Sequence, residues 1–255
     1  MTKLKFLVLL FLAGLAHATY GQVSIDKEPP KALYEQGIFL MNTKNYGGAR
    51  AYFEQYRNSD DPKYQVEANY YSAICALKLY HLDGEKLIQD FINDYPNSPQ
   101  SAMAYVEMGE YFFQDRNYKQ AVIYLSKVDQ RSISSDRRTD VQYKLGYSYF
   151  ATKNFDKALV EFNKVKKSKS KFKPASHYYA AFIEYDQGDY QKALNDYLVI
   201  EKEKAFASSV PYMITSIHYK SNDNPKVIAY TKPIIDSKRK VQQRGQMSIL
   251  LAEAY

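Results

Sequence analysis

Reactive chemistry needs nucleophiles, acids or metal ligands at workable spacing, and this chain offers few. Its four histidines, His17, His81, His177 and His218, stand far apart, beside no H-E-x-x-H, G-x-S-x-G or phosphate-cradling glycine loop. Cys75, the one cysteine, sits in the small, apolar stretch Tyr71-Ser72-Ala73-Ile74-Cys75-Ala76, which suits packing better than thiolate chemistry and leaves no intrachain disulfide. The run Lys164-Val-Lys-Lys-Ser-Lys-Ser-Lys-Phe-Lys173 holds six lysines. It reads as a helix C-terminus, where cations answer the dipole, followed by a solvated loop; contact with an anionic surface or a nucleic acid is the alternative. Lys238-Arg239-Lys240 reads the same way. No metal, cofactor or catalytic group is expected, and the chain is read as a non-enzyme.

Charge is unevenly spread. Residues 22–130 carry 11 basic and 15 acidic groups, whereas residues 131–255 carry 22 and 13, within a total of +7. One end of the molecule is therefore expected to attract anionic partners.

The residues that recur are aromatic and small. YVEMGEYFFQDRNYKQAVIYLSKV at 105–128 aligns without a gap on QYKLGYSYFATKNFDKALVEFNKV at 142–165. One anchor recurs as Tyr34, Tyr70, Val106, Tyr143, Tyr178, Tyr212 and Ile249, and three residues on comes Gly37, Ala73, Gly109, Gly146, Ala181, Thr215 or Ala252. Twelve further stands Ala49, Ala121, Ala158, Ala193 or Val227. Apolar residues at i, i+3, i+4 and i+7 make each half-unit an amphipathic helix, and polar turns such as Lys44-Asn45-Tyr46 and Thr152-Lys153-Asn154-Phe155 separate the halves. Asn and Asp there suit the N-cap of the second helix, and Ser98-Pro99 and Lys173-Pro174 suit the start of the next unit. Gly109 with Ala121, and Gly146 with Ala158, are expected to face each other across a hairpin. Phe53, Phe91, Leu125, Phe162 and Tyr197 then fill the space toward the next unit. A single hairpin cannot bury both faces, so the units must stack. A longer turn is expected around His81-Leu82-Asp83-Gly84, and the sixth unit, with Thr215, Val227 and Thr231, departs most from the pattern.

The pattern resembles tetratricopeptide repeats, most closely in Leu145-Gly146, Tyr149, Ala158, Phe162 and Val165. The resemblance implies an all-α fold, a right-handed α-solenoid of about six hairpins plus a truncated seventh, over residues 31–255. Ile249-Leu250-Leu251 is not a polar cap, so the solenoid is expected to be incomplete at its C-terminus. Residues 1–21, with Lys3 and Lys5 before an apolar run and Ala16-His17-Ala18 after it, read as a cleaved secretory signal, and residues 22–30 as an extended or disordered lead-in. Tyr95-Pro96-Asn97-Ser98-Pro99 is similar to the inter-repeat phrase of exported bacterial relatives, which implies the periplasm or cell envelope of a Gram-negative bacterium and an outer-membrane assembly or envelope complex. No membrane span is expected after cleavage, and no nucleic-acid partner.

In that family the inner surface is lined by three first-helix positions lying at i, i+4 and i+7. Carried onto this chain, they give a partner-binding face of Tyr143, Tyr147, Phe150, Tyr178, Phe182, Tyr185, Tyr212 and Tyr219. Earlier units place Glu110 and Phe113 on the same stripe. The lysine, asparagine and arginine of a carboxylate clamp are missing from these positions. The implied function is a noncatalytic scaffold for a peptide or protein subunit. The alternative is a structural spacer at the N-terminal end of a longer protein.

Overall fold

The computed structural model describes residues 28–237 and 239–255, so the signal segment and most of the lead-in lie outside the described residues. Among the described residues there are thirteen α-helices and no strand. Six antiparallel hairpins follow one another: α1 (Pro30–Asn42) with α2 (Tyr46–Arg57), α3 (Gln65–Lys78) with α4 (Gly84–Asp94), and α5 (Pro99–Gln114) with α6 (Tyr118–Leu125). Then come α7 (Ser135–Ala151) with α8 (Phe155–Lys166), α9 (Lys173–Asp186) with α10 (Tyr190–Ile200), and α11 (Val210–Lys220) with α12 (Asn224–Asp236). α13 (Arg244–Glu253) packs on both α11 and α12. First helices also touch across units, α3 on α5, α5 on α7 and α7 on α9, so the array is the expected all-α solenoid.

The hairpin turns share one geometry. The second residue after each first helix is left-handed: Lys44, Tyr80, Arg116, Lys153 and Asn222 have φ between 54° and 61°, and Gly188 has 80°. The next N–H then reaches back five residues, as from Asn45 to Leu40 O at 2.8 Å and from Asn154 to Tyr149 O at 2.8 Å, closing the helix C-terminus in a Schellman motif. That same next residue opens the second helix. Asn45, Asn117 and Asp223 accept from the backbone N–H of Gly48, Gln120 and Lys226 as N-caps, while Asn154 and Asp189 hold the place without that bond. Unit two carries His81 there, and five residues instead of three separate its helices, the longer turn expected.

The small anchors work differently from the expectation. A Cβ on Gly37 would lie 2.7 Å from Phe53 Cε1, one on Gly146 would lie 3.1 Å from the Phe162 ring, and one on Gly109 would strike Leu125. Each glycine thus admits the large residue of its own hairpin rather than facing alanine alone, because a buried ring fills the missing volume. Phe53, Leu125 and Phe162 are fully buried inside their units. Phe91 does not share their role: Ile88, three residues earlier and fully buried, precedes it on α4 as Phe53 precedes Tyr56 on α2. Unit six replaces the Gly–large pair with two medium residues, Thr215 and Thr231, whose buried hydroxyls lie 2.9 Å apart. Gly84 is the tightest backbone approach, for its Cβ would stand 2.9 Å from Leu77 Cα.

Candidate protein-interaction surface

The residues of the expected face divide into three groups. Tyr147, Phe150 and Phe182 meet in one aromatic web on α7 and α9. The Tyr147 ring centroid lies 5.7 Å from Phe113, 5.4 Å from Tyr118, 6.2 Å from Phe150 and 5.1 Å from Tyr179. Phe150 continues to Tyr179 at 5.0 Å, Phe155 at 5.8 Å and Phe182 at 5.7 Å. Offset and edge-to-face pairs of this kind add stability beyond their buried area. Phe182 remains 38% exposed, so the web reaches solvent.

Tyr143 and Tyr178 border the web, 6.4 Å from Tyr147 and 5.6 Å from Tyr179, and lie beneath the loops that link successive units. Phe172 stacks on Tyr143 at 4.2 Å with rings 6° apart, and Phe206 on Tyr178 at 5.1 Å. Tyr64 covers Tyr34 in the same way at 4.2 Å. Burial, with Tyr147 next to it, pushes the Tyr143 hydroxyl up to about 12, which keeps it neutral. Tyr185, Tyr212 and Tyr219 stand further along. Tyr185 packs on Tyr190 at 5.6 Å and its hydroxyl meets Ser216 Oγ at 2.7 Å. Tyr212 is half-buried on α11, and the Glu253 carboxylate of α13 near Tyr219 raises its hydroxyl.

Sequence reasoning passed over Tyr118, Tyr179 and the loop aromatics. The signal for the latter is an aromatic just ahead of the next unit, in Lys63-Tyr64, Lys171-Phe172 and Ala205-Phe206. In the first two the lysine ammonium also sits over the ring, at 4.9 and 5.0 Å.

Glu110, on the same stripe one unit earlier, serves as a joint. Lys144 Nζ donates to it at 2.6 Å and Arg137 Nη1 at 3.3 Å, while Arg137 Nη2 meets Glu107 at 3.0 Å and Lys78 meets Glu107 at 2.5 Å. The network ties α3, α5 and α7 together along their length. A second joint links units four and five, where Lys166 of α8 and His177 of α9 both pair with Asp196 of α10. Burial opposes the Asp196 charge, yet the bonds from His177 and Lys166 hold its carboxyl below the usual range.

The profile described as a tetratricopeptide repeat matches residues 140–168, which cover most of α7, all of α8 and the turn between them. One unit of the chain, residues 140–168, thus matches the tetratricopeptide repeat. No curated protein sequence matches it. Among solved structures, MamA of AMB-1 is similar in fold with a TM-score of 0.55 and 22% identity, over 70% of this chain and 93% of that one. MamA of MSR-1 gives 0.50 and 23%, over 66% and 91%. PilF of Pseudomonas aeruginosa gives 0.53 and 13%, over 86% and 96%. At these identities the likeness is one of fold. No helix among the described residues is long and apolar enough to cross a membrane.

Proposed function

We propose that this protein is a noncatalytic scaffold of the bacterial cell envelope that holds a peptide or a protein subunit against its first-helix face. The observation that carries this reading is the aromatic web around Tyr147, which crosses α5, α7 and α9 and reaches solvent at Phe182. Aromatic rings offer a large contact area at low side-chain entropy, and tyrosine keeps a hydroxyl for hydrogen bonding. Tyr143 and Tyr178 contribute by fixing the loops beside the web. Tyr185, Tyr212 and Tyr219 extend the face toward α13. The envelope assignment rests on the signal-like residues 1–21, and an outer-membrane assembly is the kind of complex it suggests.

The test is a cross-linking pull-down from envelope extract with the full chain and with Tyr147→Ala, Phe182→Ala. The double variant is expected to lose its partner while keeping its helical circular dichroism. An unchanged pull-down rejects the face and favours the spacer reading, which the rigid ionic joint across α3, α5 and α7 also supports.

A further inference from the structure

The lysine run between α8 and α9 divides in two. Lys164 and Lys166 are spent within the fold, paired with Glu161 at 2.7 Å and with Asp196. Lys167, Lys169, Lys171 and Lys173 are all exposed, and none makes an ion pair among the described residues. The residues between them turn inward. Ser168 donates to Val165 O at 2.7 Å, Ser170 Oγ accepts from the Phe172 N–H at 3.1 Å, and Phe172 lies on Tyr143. The result is a comb: four exposed lysines at every second position of a turning loop that its alternate residues anchor.

Behind the comb lies an open cleft of about 550 Å³ between this loop and the first turns of α7. Lys169 and Lys171 line one wall, and Asp136 and Asp140 the other, with hydroxyls from Ser135 and Thr139 beside them. The two walls make no ion pair with each other. Asp136 answers the N-terminal dipole of α7, but Asp140 lies beyond the first turn, where that effect has faded.

We propose that the lysine comb and the cleft behind it form a docking site for a net-acidic polypeptide segment that also carries a basic residue. A phosphatidylglycerol surface or a nucleic acid backbone presents anions without cations and would meet Asp136 and Asp140 as repulsion. A polypeptide places carboxylates against the comb and an ammonium or guanidinium against the acidic wall within a few residues. Phe172 on Tyr143 joins the loop to the edge of the aromatic face, but the lysines and carboxylates of the site are not part of the web, so the site does not depend on the reading of that face. The basic C-terminal half of the chain adds long-range attraction for such a partner.

The experiment measures fluorescence anisotropy of two labelled peptides with the full chain: a Glu-Ser dipeptide repeated six times, and the same peptide with Lys in place of a central Ser. Both are expected to bind at low salt, more weakly as salt rises, with the Lys-containing peptide the tighter. Lys169→Glu with Lys171→Glu should weaken both by roughly tenfold or more, and the milder Lys169→Gln with Lys171→Gln should fall between. Asp136→Asn with Asp140→Asn should erase the preference between the peptides. All these side chains line open surface, and unchanged far-UV circular dichroism checks that the variants fold. The proposal is overturned if neither peptide binds, if charge reversal leaves binding unchanged, or if the two peptides bind alike. It is also overturned if phosphatidylglycerol vesicles or a single-stranded oligonucleotide bind as tightly through the same lysines. Loss of the pull-down partner in Tyr147→Ala, Phe182→Ala without change in peptide affinity separates this site from the aromatic face.

Discussion

Glu184 occupies a first-helix position that the other hairpins fill with Leu40, Ala76, Phe112, Tyr149 and His218. It is buried, its Oε2 has no hydrogen-bond partner, and burial, with Asp196 beside it, raises its carboxyl to about 7. A carboxyl raised on folding holds its proton in the native chain after the unfolded chain has released it. Stability is therefore fullest below the ordinary glutamate range and falls as pH rises toward 7, then levels. Urea midpoints measured from pH 5 to pH 8 should decline, and Glu184→Gln should remove that part of the decline. A midpoint independent of pH in the parent chain would contradict the assignment. Asp196, held ionised by His177 and Lys166, adds no titration in this window. The sequence shows a glutamate inside an amphipathic helix but not its burial, because the helices that desolvate it come from two different halves of neighbouring units.

At the scale of the element, the hairpin turn is the most repeated device in the molecule. Five of the six left-handed residues are not glycine, and a side chain in that region costs ~1–2 kcal/mol. Lys153→Gly is therefore expected to raise stability by ~1 kcal/mol, and Gly188→Ala to lower it by about as much, read from urea denaturation. Equal midpoints for both would show that the turns relax to another geometry. The turns were legible in the sequence through Asn and Asp at the N-cap, not through glycine at the left-handed residue. The Gly–Phe pairing was only half legible. Spacing showed that small residues recur, but which large residue enters each gap depends on how the two helices rotate about their axes.

For the whole molecule, stability in a stacked array is the sum of each unit and its contacts with neighbours. The Lys78–Glu107–Arg137–Glu110–Lys144 network spans three units, and Glu110 is nearly enclosed within it. Removing Glu110 leaves the half-buried Lys144 without its partner while Arg137 keeps Glu107, so Glu110→Ala should cost ~1.5–3 kcal/mol. It should also broaden the unfolding transition as units one to three separate from the rest. A single sharp transition with an unchanged midpoint would mean that the network adds nothing to coupling. Its members lie 27 to 34 residues apart, and no local pattern announces them.

By itself the sequence determined the helices, their pairing into hairpins and the period of stacking, since these follow from apolar spacing, caps and turns within about 35 residues. Only the tertiary structure decided which tyrosines are roofed by loop aromatics, which rings join into the web that reaches solvent, and which lysines are left unpaired. Those outcomes depend on side chains from adjacent units meeting in space, and the angle between units is set by packing rather than by any single segment.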